Sequence, residues 1–227
     1  METLGTNYGG WDIPINANLN KNSIVYSGGV GEDMSFDLKL NDKYNCNIVL
    51  IDPTQRAINH YENVQKYYNT YGYIFIENIQ PDYINHICDL KPNFSKFTYL
   101  NKGLHNAKGT LKFYKQTNTS YVSQSLVPNM FGNEYDTVEV DTIKNIMSEL
   151  GHTKIDLLKL DIEGSEVDVL EQMLDDNIYP KYLCIEFDLE LKRKDYNNST
   201  QKVVERLQQN GYKILINKNL NITFEYN

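Results

Sequence analysis

Short apolar runs alternate along this chain with longer segments whose apolar residues recur at helical spacing. Ile48-Val-Leu-Ile51 is apolar on both faces, as expected of a buried parallel strand, whereas Ala57, Tyr61 and Val64 share one face of a helix. The pattern predicts strands at residues 23–26, 48–51, 73–76, 97–104, 110–114, 121–126, 155–160, 182–187, 212–216 and 222–226. It predicts helices at residues 34–40, 54–71, 81–90, 142–150, 167–174 and 200–209.

Strands that alternate with helices predict an α/β fold with a mostly parallel central sheet and helices on both faces. A short turn separates the last two strands, which are therefore expected to form an antiparallel pair at the end of the chain. Strands 110–114 and 121–126 are expected to form a hairpin over the ligand-binding side. We expect one domain over residues 23–227, preceded by an N-terminal extension of residues 1–22.

Two carboxylates directly follow the predicted strand 155–160, in the segment Asp161-Ile-Glu163. Gly164 then turns the chain into the next helix. Asp161 and Glu163 are therefore expected at the carboxyl edge of the sheet, where open α/β sheets bind their ligands. A competing interpretation is that Asp161 only caps the helix, because aspartate is a favoured capping residue.

A glycine-rich turn, Ser27-Gly-Gly-Val-Gly31, follows the first strand of the domain. Glycine lets a backbone approach a ligand closely and adopt positive φ. About twenty residues later Asp52 ends the next strand, at the position from which an acid accepts hydrogen bonds from a ribose diol. The turn, Asp52 and Asp161 together predict a cofactor that contains a nucleoside.

The acidic start of the following helix separates two such cofactors, NAD and S-adenosylmethionine (SAM). The dinucleotide fingerprint has a third glycine three residues after Gly31, where this chain has Met34. Glu32 and Asp33 place negative charge where a pyrophosphate would lie. SAM has no phosphate and carries a sulfonium cation, so the acidic turn favours SAM.

Four segments resemble the FkbM family of SAM-dependent methyltransferases, in the family's order and over most of the chain. They are Tyr26-Ser-Gly-Gly-Val-Gly-Glu-Asp-Met-Ser-Phe36, Ile51-Asp-Pro-Thr54, Gly103-Leu-His-Asn-Ala-Lys-Gly109 and Ile155-Asp-Leu-Leu-Lys-Leu-Asp-Ile-Glu-Gly-Ser-Glu166, and the last is the most specific. Ile185-Glu-Phe187 resembles the family's next strand. The resemblance implies a class I methyltransferase (Rossmann-like) fold, SAM as cofactor, and methyl transfer to oxygen on a sugar, glycan or small-molecule acceptor.

Together with the patterns above, the resemblance implies the site residues. Those expected to contact the cofactor are Tyr26, Ser27, Gly28, Gly29, Gly31, Asp52, Pro53, Thr54, Gly103, Leu104 and Asp161. The catalytic candidates are Asp161, Glu163 and Glu186, because carboxylates at the ends of neighbouring strands are placed to take a proton from an acceptor hydroxyl. Relatives often carry His after the Glu-Phe pair, where this chain has Asp188. Asp188 and His105 are rival candidates for the base.

Three other interpretations stay open. Clustered carboxylates also suit a divalent cation such as Mg²⁺, although we assign no metal ligand. The fold can also serve as a non-catalytic module that binds SAM or a nucleotide sugar. A nucleotide-sugar epimerase would need a Tyr-x-x-x-Lys pair after the fourth strand of the sheet, and none follows it.

Composition limits the possible binding partners and the cellular compartment. The net charge of −8 argues against a nucleic-acid substrate. Cys46, Cys88 and Cys184 lack metal-ligand spacing and fit a reducing compartment. No segment has the pattern of a signal peptide or a membrane span, so we expect a cytoplasmic enzyme, in the host cytoplasm if the source is a virus. The sequence leaves the oligomeric state undetermined.

Overall fold

The computed structural model of this protein describes residues 1–75, 79–114, 134–188, 198–218 and 220–227. Its strands are β1 (Glu2–Leu4), β2 (Trp11–Ile13), β3 (Ile24–Gly28), β4 (Asn47–Ile51), β5 (Phe97–Leu100), β6 (Gly103–Leu104), β7 (Gly109–Tyr114), β8 (Tyr135–Asp141), β9 (Leu157–Leu160), β10 (Tyr182–Glu186), β11 (Tyr212–Lys218) and β12 (Asn221–Tyr226). Its helices are α1 (Ser35–Tyr44), α2 (Gln55–Asn69), α3 (Tyr83–Ile87), α4 (Ile143–Leu150), α5 (Glu166–Asp175) and α6 (Ser199–Gln209), with a 3₁₀ turn at Phe94–Lys96.

The central sheet has the strand order β11-β12-β10-β9-β3-β4-β5. The pairs β10–β9, β9–β3, β3–β4 and β4–β5 are parallel. By contrast, β12 is antiparallel to both of its neighbours, β10 and β11. The predicted sheet, mostly parallel and ending in an antiparallel pair, is confirmed. Gly28 of β3 and Leu160 of β9 are paired in register, so the segments that follow these two strands start side by side.

Helices cover both faces of the sheet because its inner strands are apolar on both sides. On one face, Ile146 of α4, Leu170 of α5 and Leu207 of α6 belong to one buried cluster with the sheet. On the other face, Phe36 of α1 and Val64 of α2 belong to a second cluster. The two clusters hold the sheet between layers of helices and leave the carboxyl edge of the strands for the site.

The predicted N-terminal extension is folded against the second cluster. Strands β1 and β2 pair antiparallel, and Leu4, Trp11 and Ile13 are buried in the same cluster as α1. The amide of Thr6 donates a hydrogen bond to Ser35 Oγ at 2.8 Å. This contact holds the segment between β1 and β2 at the start of α1, next to the glycine-rich turn.

Two predicted strands differ from the structure. The strand predicted at 97–104 is interrupted, because the amide of Lys102 turns back to the carbonyl of Leu100 at 2.9 Å and the chain leaves the central sheet. The strand predicted at 73–76 is wrong for residues 73–75, which are irregular, while residue 76 lies outside the described residues. In this segment the ring of Phe75 packs against the rings of Tyr67, Tyr73 and Tyr83.

A second sheet has the order β6-β8-β7. The predicted strand 110–114 is present in β7, which pairs antiparallel with β8. Its predicted hairpin partner, 121–126, lies outside the described residues, and no strand was predicted for β8. The signal was present nevertheless, because Val138 and Val140 alternate with polar residues and are buried with Phe113, as in a half-buried strand.

The predicted helices are present with small shifts at their ends. Thr54 and Thr142 cap α2 and α4, their side chains accepting hydrogen bonds from the amides of Ala57 and Asn145. Gly151 ends α4 in the left-handed region, at φ 69°. Among the helices in the described ranges, none is long and apolar enough to cross a membrane.

Candidate functional site

The glycine-rich turn between β3 and α1 is packed directly against the end of β9. Gly29 has φ +75°, and a Cβ atom there would lie 1.7 Å from the carbonyl oxygen of Asp161. The amide of Gly29 donates to Ile51 O at 3.0 Å, and the amide of Asp161 donates to Gly28 O at 3.2 Å. Only glycine fits at position 29, because both the positive φ and the close approach exclude a side chain.

Asp52 holds the other end of this turn. Its Oδ2 accepts hydrogen bonds from the amides of Val30 and Gly31, at 2.9 and 3.0 Å. Its Oδ1 accepts from the amide and the hydroxyl of Thr54, at 2.8 and 2.7 Å. A carboxylate offers about four lone-pair positions, and these four bonds use them. Asp52 therefore shapes the turn, and its contact with a ribose stays a prediction.

The segment between β1 and β2 closes one side of the turn, a contact that the sequence pattern did not predict. Thr6 Oγ1 donates to Asp33 Oδ2 at 2.5 Å, while Asp33 Oδ1 accepts from the amide of Ser35 at 2.9 Å. A Cβ atom on Gly9 would lie 2.7 Å from Asp33 Cγ. The closely spaced glycines of this segment were the available signal, since they allow two backbones to approach each other.

The turn opens into a cavity of about 400 Å³ at the carboxyl edge of the sheet, a volume typical of small-molecule sites. The predicted site residues that line it are Gly29, Gly31, Asp52, Pro53, Thr54, Gly103, Leu104, Asp161, Glu163 and Glu186. The fold therefore gathers residues from distant parts of the chain around one space. Phe113 and Val140, which were not predicted, add an apolar part of the lining beside Leu104.

Three predicted cofactor residues lie behind this lining. The side chain of Tyr26 belongs to the α4–α5–α6 face of the core, with its hydroxyl 2.9 Å from His152 Nδ1. Ser27 is completely buried. Gly28 supports the site indirectly, because a Cβ atom there would lie 2.8 Å from Leu104 Cδ1. In a strand successive side chains point to opposite faces, so Tyr26 and Ser27 point into the two sides of the core.

Asp161 does not cap α5, so the capping interpretation is wrong. The capping position is Ser165, and Glu166 folds back to accept hydrogen bonds from the amides of Ile162 and Gly164, at 3.0 and 3.1 Å. Glu166 thereby satisfies the amides of the turn. The side chain of Asp161 is left to face the cavity, with its Oδ2 3.7 Å from Lys159 Nζ.

Glu163 occupies the tip of the turn after β9 in a left-handed conformation, with φ 61°. A residue other than glycine, asparagine or aspartate is uncommon in this region, and such strain concentrates at functional sites. Glu163 also lines the cavity. The backbone therefore holds this carboxylate at the edge of the site at a cost in conformational energy.

Four carboxylates crowd the ends of β9 and β10. Burial, followed by the charge of Asp161 and a hydrogen bond with it, raises the pKa of Glu186 to about 8. Burial and the charges of Glu166 and Asp161 raise the pKa of Asp188 as well, and burial raises that of Glu166. Like charges this close do not all ionise together, so the group shares protons near neutral pH. It is arranged to favour a cation in the cavity.

The geometry gives less support to His105, one of the two rival candidates for the base. The described lining of the cavity does not include His105, whose amide donates to Asp141 O at 3.0 Å and whose pKa is lowered by burial. In the part of the chain that the structure describes, no group of three or more His, Cys, Asp or Glu residues is arranged to hold a metal ion.

The strand order and this site together define a class I SAM-dependent methyltransferase. A parallel sheet with a single inserted antiparallel strand places a glycine turn and an acidic strand end at the same edge. The residues fit the cofactor, because glycine at position 29 lets the turn pack against the end of β9 at the cavity, and the acidic cluster there suits a sulfonium cation. The ion pair between Glu32 and Arg56, at 2.6 Å, offsets part of the negative charge at this turn.

The family is established by sequence. The model described as Methyltransferase FkbM domain matches residues 6–214, so this protein belongs to the FkbM methyltransferase family. The predicted family and the predicted cofactor, SAM, are confirmed. The match includes most of the segment between β1 and β2, which belongs to the predicted N-terminal extension of residues 1–22.

Comparison with other proteins adds distant structural likenesses. The crystal structure of a fibrillarin/Nop5p complex matches with 9% identity and a TM-score of 0.44, over 92% of this chain and 74% of that chain. A Methanococcus jannaschii fibrillarin, a pre-rRNA processing protein, matches with 10% identity and a TM-score of 0.41, over 90% and 66%. No curated protein sequence matches. None of these comparisons assigns an acceptor to this protein.

Proposed function

We propose that this protein transfers the methyl group of SAM to a hydroxyl oxygen of a sugar, a glycan or another small polyhydroxylated acceptor. The observation that carries the proposal is the pair formed by Asp161 and Glu186. These carboxylates stand at the ends of adjacent parallel strands and line the same cavity as the glycine turn. One end of the cavity therefore suits the cofactor, and the other offers a base for the acceptor.

The chain's own groups have two tasks in this reaction. SAM supplies a methyl group on a positively charged sulfur, so the new carbon–oxygen bond forms as the carbon–sulfur bond breaks and the sulfur keeps the electron pair. The cavity walls align the acceptor oxygen with the methyl group. In well-oriented systems this alignment makes the larger contribution to the rate. Glu186 takes the hydroxyl proton when it is ionised, and the protonated Glu186 then donates a hydrogen bond to Asp161. Glu163 is the second candidate for the base.

Polar and aromatic groups at the cavity support a polyhydroxylated acceptor. Asn7, Tyr8 and Asn221 line it together with the acids, and the side chain of Tyr8 is 64% exposed. Amides and carboxylates can each bind several hydroxyl groups, and a tyrosine ring offers a surface on which a sugar can stack. Four carboxylates lie close enough to Tyr8 for their charges to act on it, and they disfavour an anionic acceptor such as a nucleic acid; they are Asp161, Asp33, Glu186 and Glu32.

The test is a turnover assay with SAM and a panel of neutral sugars, glycosides and nucleotide sugars. We expect release of S-adenosylhomocysteine and a product heavier by one CH₂ group, with the methyl group on oxygen by NMR. Methylation of nitrogen or carbon would overturn the oxygen assignment. Tight binding of SAM without turnover on any acceptor class would favour a non-catalytic binding module instead.

A further inference from the structure

A lysine is buried beneath the glycine turn. Lys159 of β9 is 5% exposed, although lysine is almost never buried without a partner. Its ammonium group donates a short hydrogen bond to the carbonyl oxygen of Gly29 and lies 3.7 Å from Asp161 Oδ2. It therefore bridges the cofactor turn and the acidic edge, the two halves of the site.

Acidic groups from three directions face this ammonium group. They are Asp161 at the end of its own strand, Asp37 of α1, and Glu186 and the thiol of Cys184 on β10. Burial raises the pKa of Asp37 to about 6, and the charge of Lys159 opposes this rise. The charge of Lys159 likewise opposes the rise in the pKa of Glu186. Lys159 is thus a fixed cation inside a group of acids that also has to receive the cation of the cofactor.

We propose that Lys159 is a positioning residue for methyl transfer, which clamps Gly29 to Asp161 and whose positive charge sets how strongly the acidic edge attracts the sulfonium group. The clamp acts on the shape of the turn and thus on every ligand that binds there. The charge of Lys159 acts on the difference in affinity between two ligands. SAM is cationic at sulfur, whereas S-adenosylhomocysteine is neutral there. The two actions can therefore be measured separately.

The experiment compares the dissociation constants of these two ligands by calorimetry across pH, in the full-length protein. Both ligands carry the same amino and carboxyl groups, so the ratio of their affinities isolates the sulfonium charge. The preference for SAM should rise as Glu186 ionises, with a midpoint near the pKa of about 8. An acid that loses a nearby positive charge has a higher pKa, so this midpoint should move to higher pH when Lys159 loses its charge.

Two variants separate the clamp from the charge. Lys159→Met removes both, so S-adenosylhomocysteine should bind at least about tenfold more weakly and the midpoint should move up by on the order of one pH unit. Lys159→Gln keeps a donor for Gly29 but carries no charge, so it should bind S-adenosylhomocysteine more tightly than the Met variant while showing the same shift of the midpoint. Lys154→Gln, at an exposed lysine paired with Asp156, is the matched control and should change neither quantity.

An unchanged midpoint in a folded Lys159→Gln variant would overturn the electrostatic role and leave Lys159 as a structural residue. Unchanged affinity for S-adenosylhomocysteine in Lys159→Met would overturn the clamp. If Lys159→Met does not fold, the midpoint of the Gln variant decides the electrostatic role alone. These outcomes concern cofactor binding, so they are independent of which acceptor the enzyme methylates.

Discussion

The two sides of the cavity are built in different ways. The cofactor side is made of backbone: the turn from Gly29 to Gly31 presents main-chain atoms, and Asp52 accepts hydrogen bonds from the amides of Val30 and Gly31. The acidic side is made of side chains, with Asp161 and Glu186 projecting from two strands. The first side depends on the absence of a Cβ atom and on fixed hydrogen bonds to the turn. The second depends on the ionisation of its carboxylates and therefore on pH.

The largest effect is expected from Gly29→Ala, which should abolish binding of S-adenosylhomocysteine. The added methyl group would lie 1.7 Å from Asp161 O, at a φ of +75° that alanine rarely adopts, so the turn must move. Calorimetry and a thermal melt measure the outcome. Gly109→Ala is the control, because a Cβ atom there meets no atom within 4 Å and should leave binding unchanged. Normal affinity in Gly29→Ala would refute the account of the cofactor side as shaped by backbone.

On the acidic side, Glu186→Gln should lower turnover by on the order of 10²–10⁴, because the amide keeps the shape but cannot accept the proton. Affinity for S-adenosylhomocysteine should change little. Asp161→Asn should lower turnover too, because without the charge of Asp161 the pKa of Glu186 falls and its carboxylate becomes a weaker base. Initial rates at saturating SAM test both variants, with the exposed Glu149→Gln as control. If both amide variants keep full activity, Glu163 and Asp188 remain as candidates.

Asp52→Ala should weaken the cofactor side without touching the acids. It removes the acceptor of four hydrogen bonds, two from the amides of Val30 and Gly31 in the turn and two from the amide and hydroxyl of Thr54. Buried amides left without a partner cost about 1–3 kcal/mol, so we expect a loss of stability of about this size and a fall in cofactor affinity of about tenfold or more. Denaturant unfolding and calorimetry separate the two effects. A loss of affinity with no loss of stability would indicate a direct ribose contact in place of the structural role.

The pH dependence of stability should follow the acidic side. The pKa of Glu186 is raised in the folded protein, so the native state keeps a proton that the unfolded chain has already released. Its contribution to stability is full at low pH and is lost as the pH rises through about 8. The melting temperature should thus fall between the ordinary pKa of 4.5 and the raised pKa of about 8, and it should fall less in Glu186→Gln. An equal slope in the two proteins would contradict the raised pKa.

The smallest effect is expected from Glu163→Gly, which relieves the left-handed strain at φ 61°. Because glycine adopts this conformation without steric cost, stability should stay the same or rise by up to about 1 kcal/mol, less the loss of any contact of the side chain. Turnover should fall if the carboxylate of Glu163 serves the reaction. Thermal melts combined with the methylation assay distinguish strain kept for function from strain without function.

Much of this fold could be predicted from the chain because its signals are local. A buried strand such as Ile48–Ile51 is recognisable from four consecutive apolar residues, and a capped helix such as α4 from Thr142 and Gly151. The break in the segment 97–104 was harder to predict. It depends on one hydrogen bond at Lys102 and on β8, the strand with which β6 pairs instead of continuing the central sheet. That partner lies more than thirty residues further along the chain, so local pattern does not reveal it.

By itself the sequence determined the order of the central strands and the helices, the glycine turn, the acidic strand end and the family, because each depends on consecutive residues. The tertiary structure decided the rest. It assigned the oxygens of Asp52 to the turn, placed Thr6 against Asp33, and buried Lys159 between Gly29 and Asp161. These contacts, like the raised pKa of Glu186, depend on distances and burial between segments remote in the chain, which exist only once the sheet has brought those segments together.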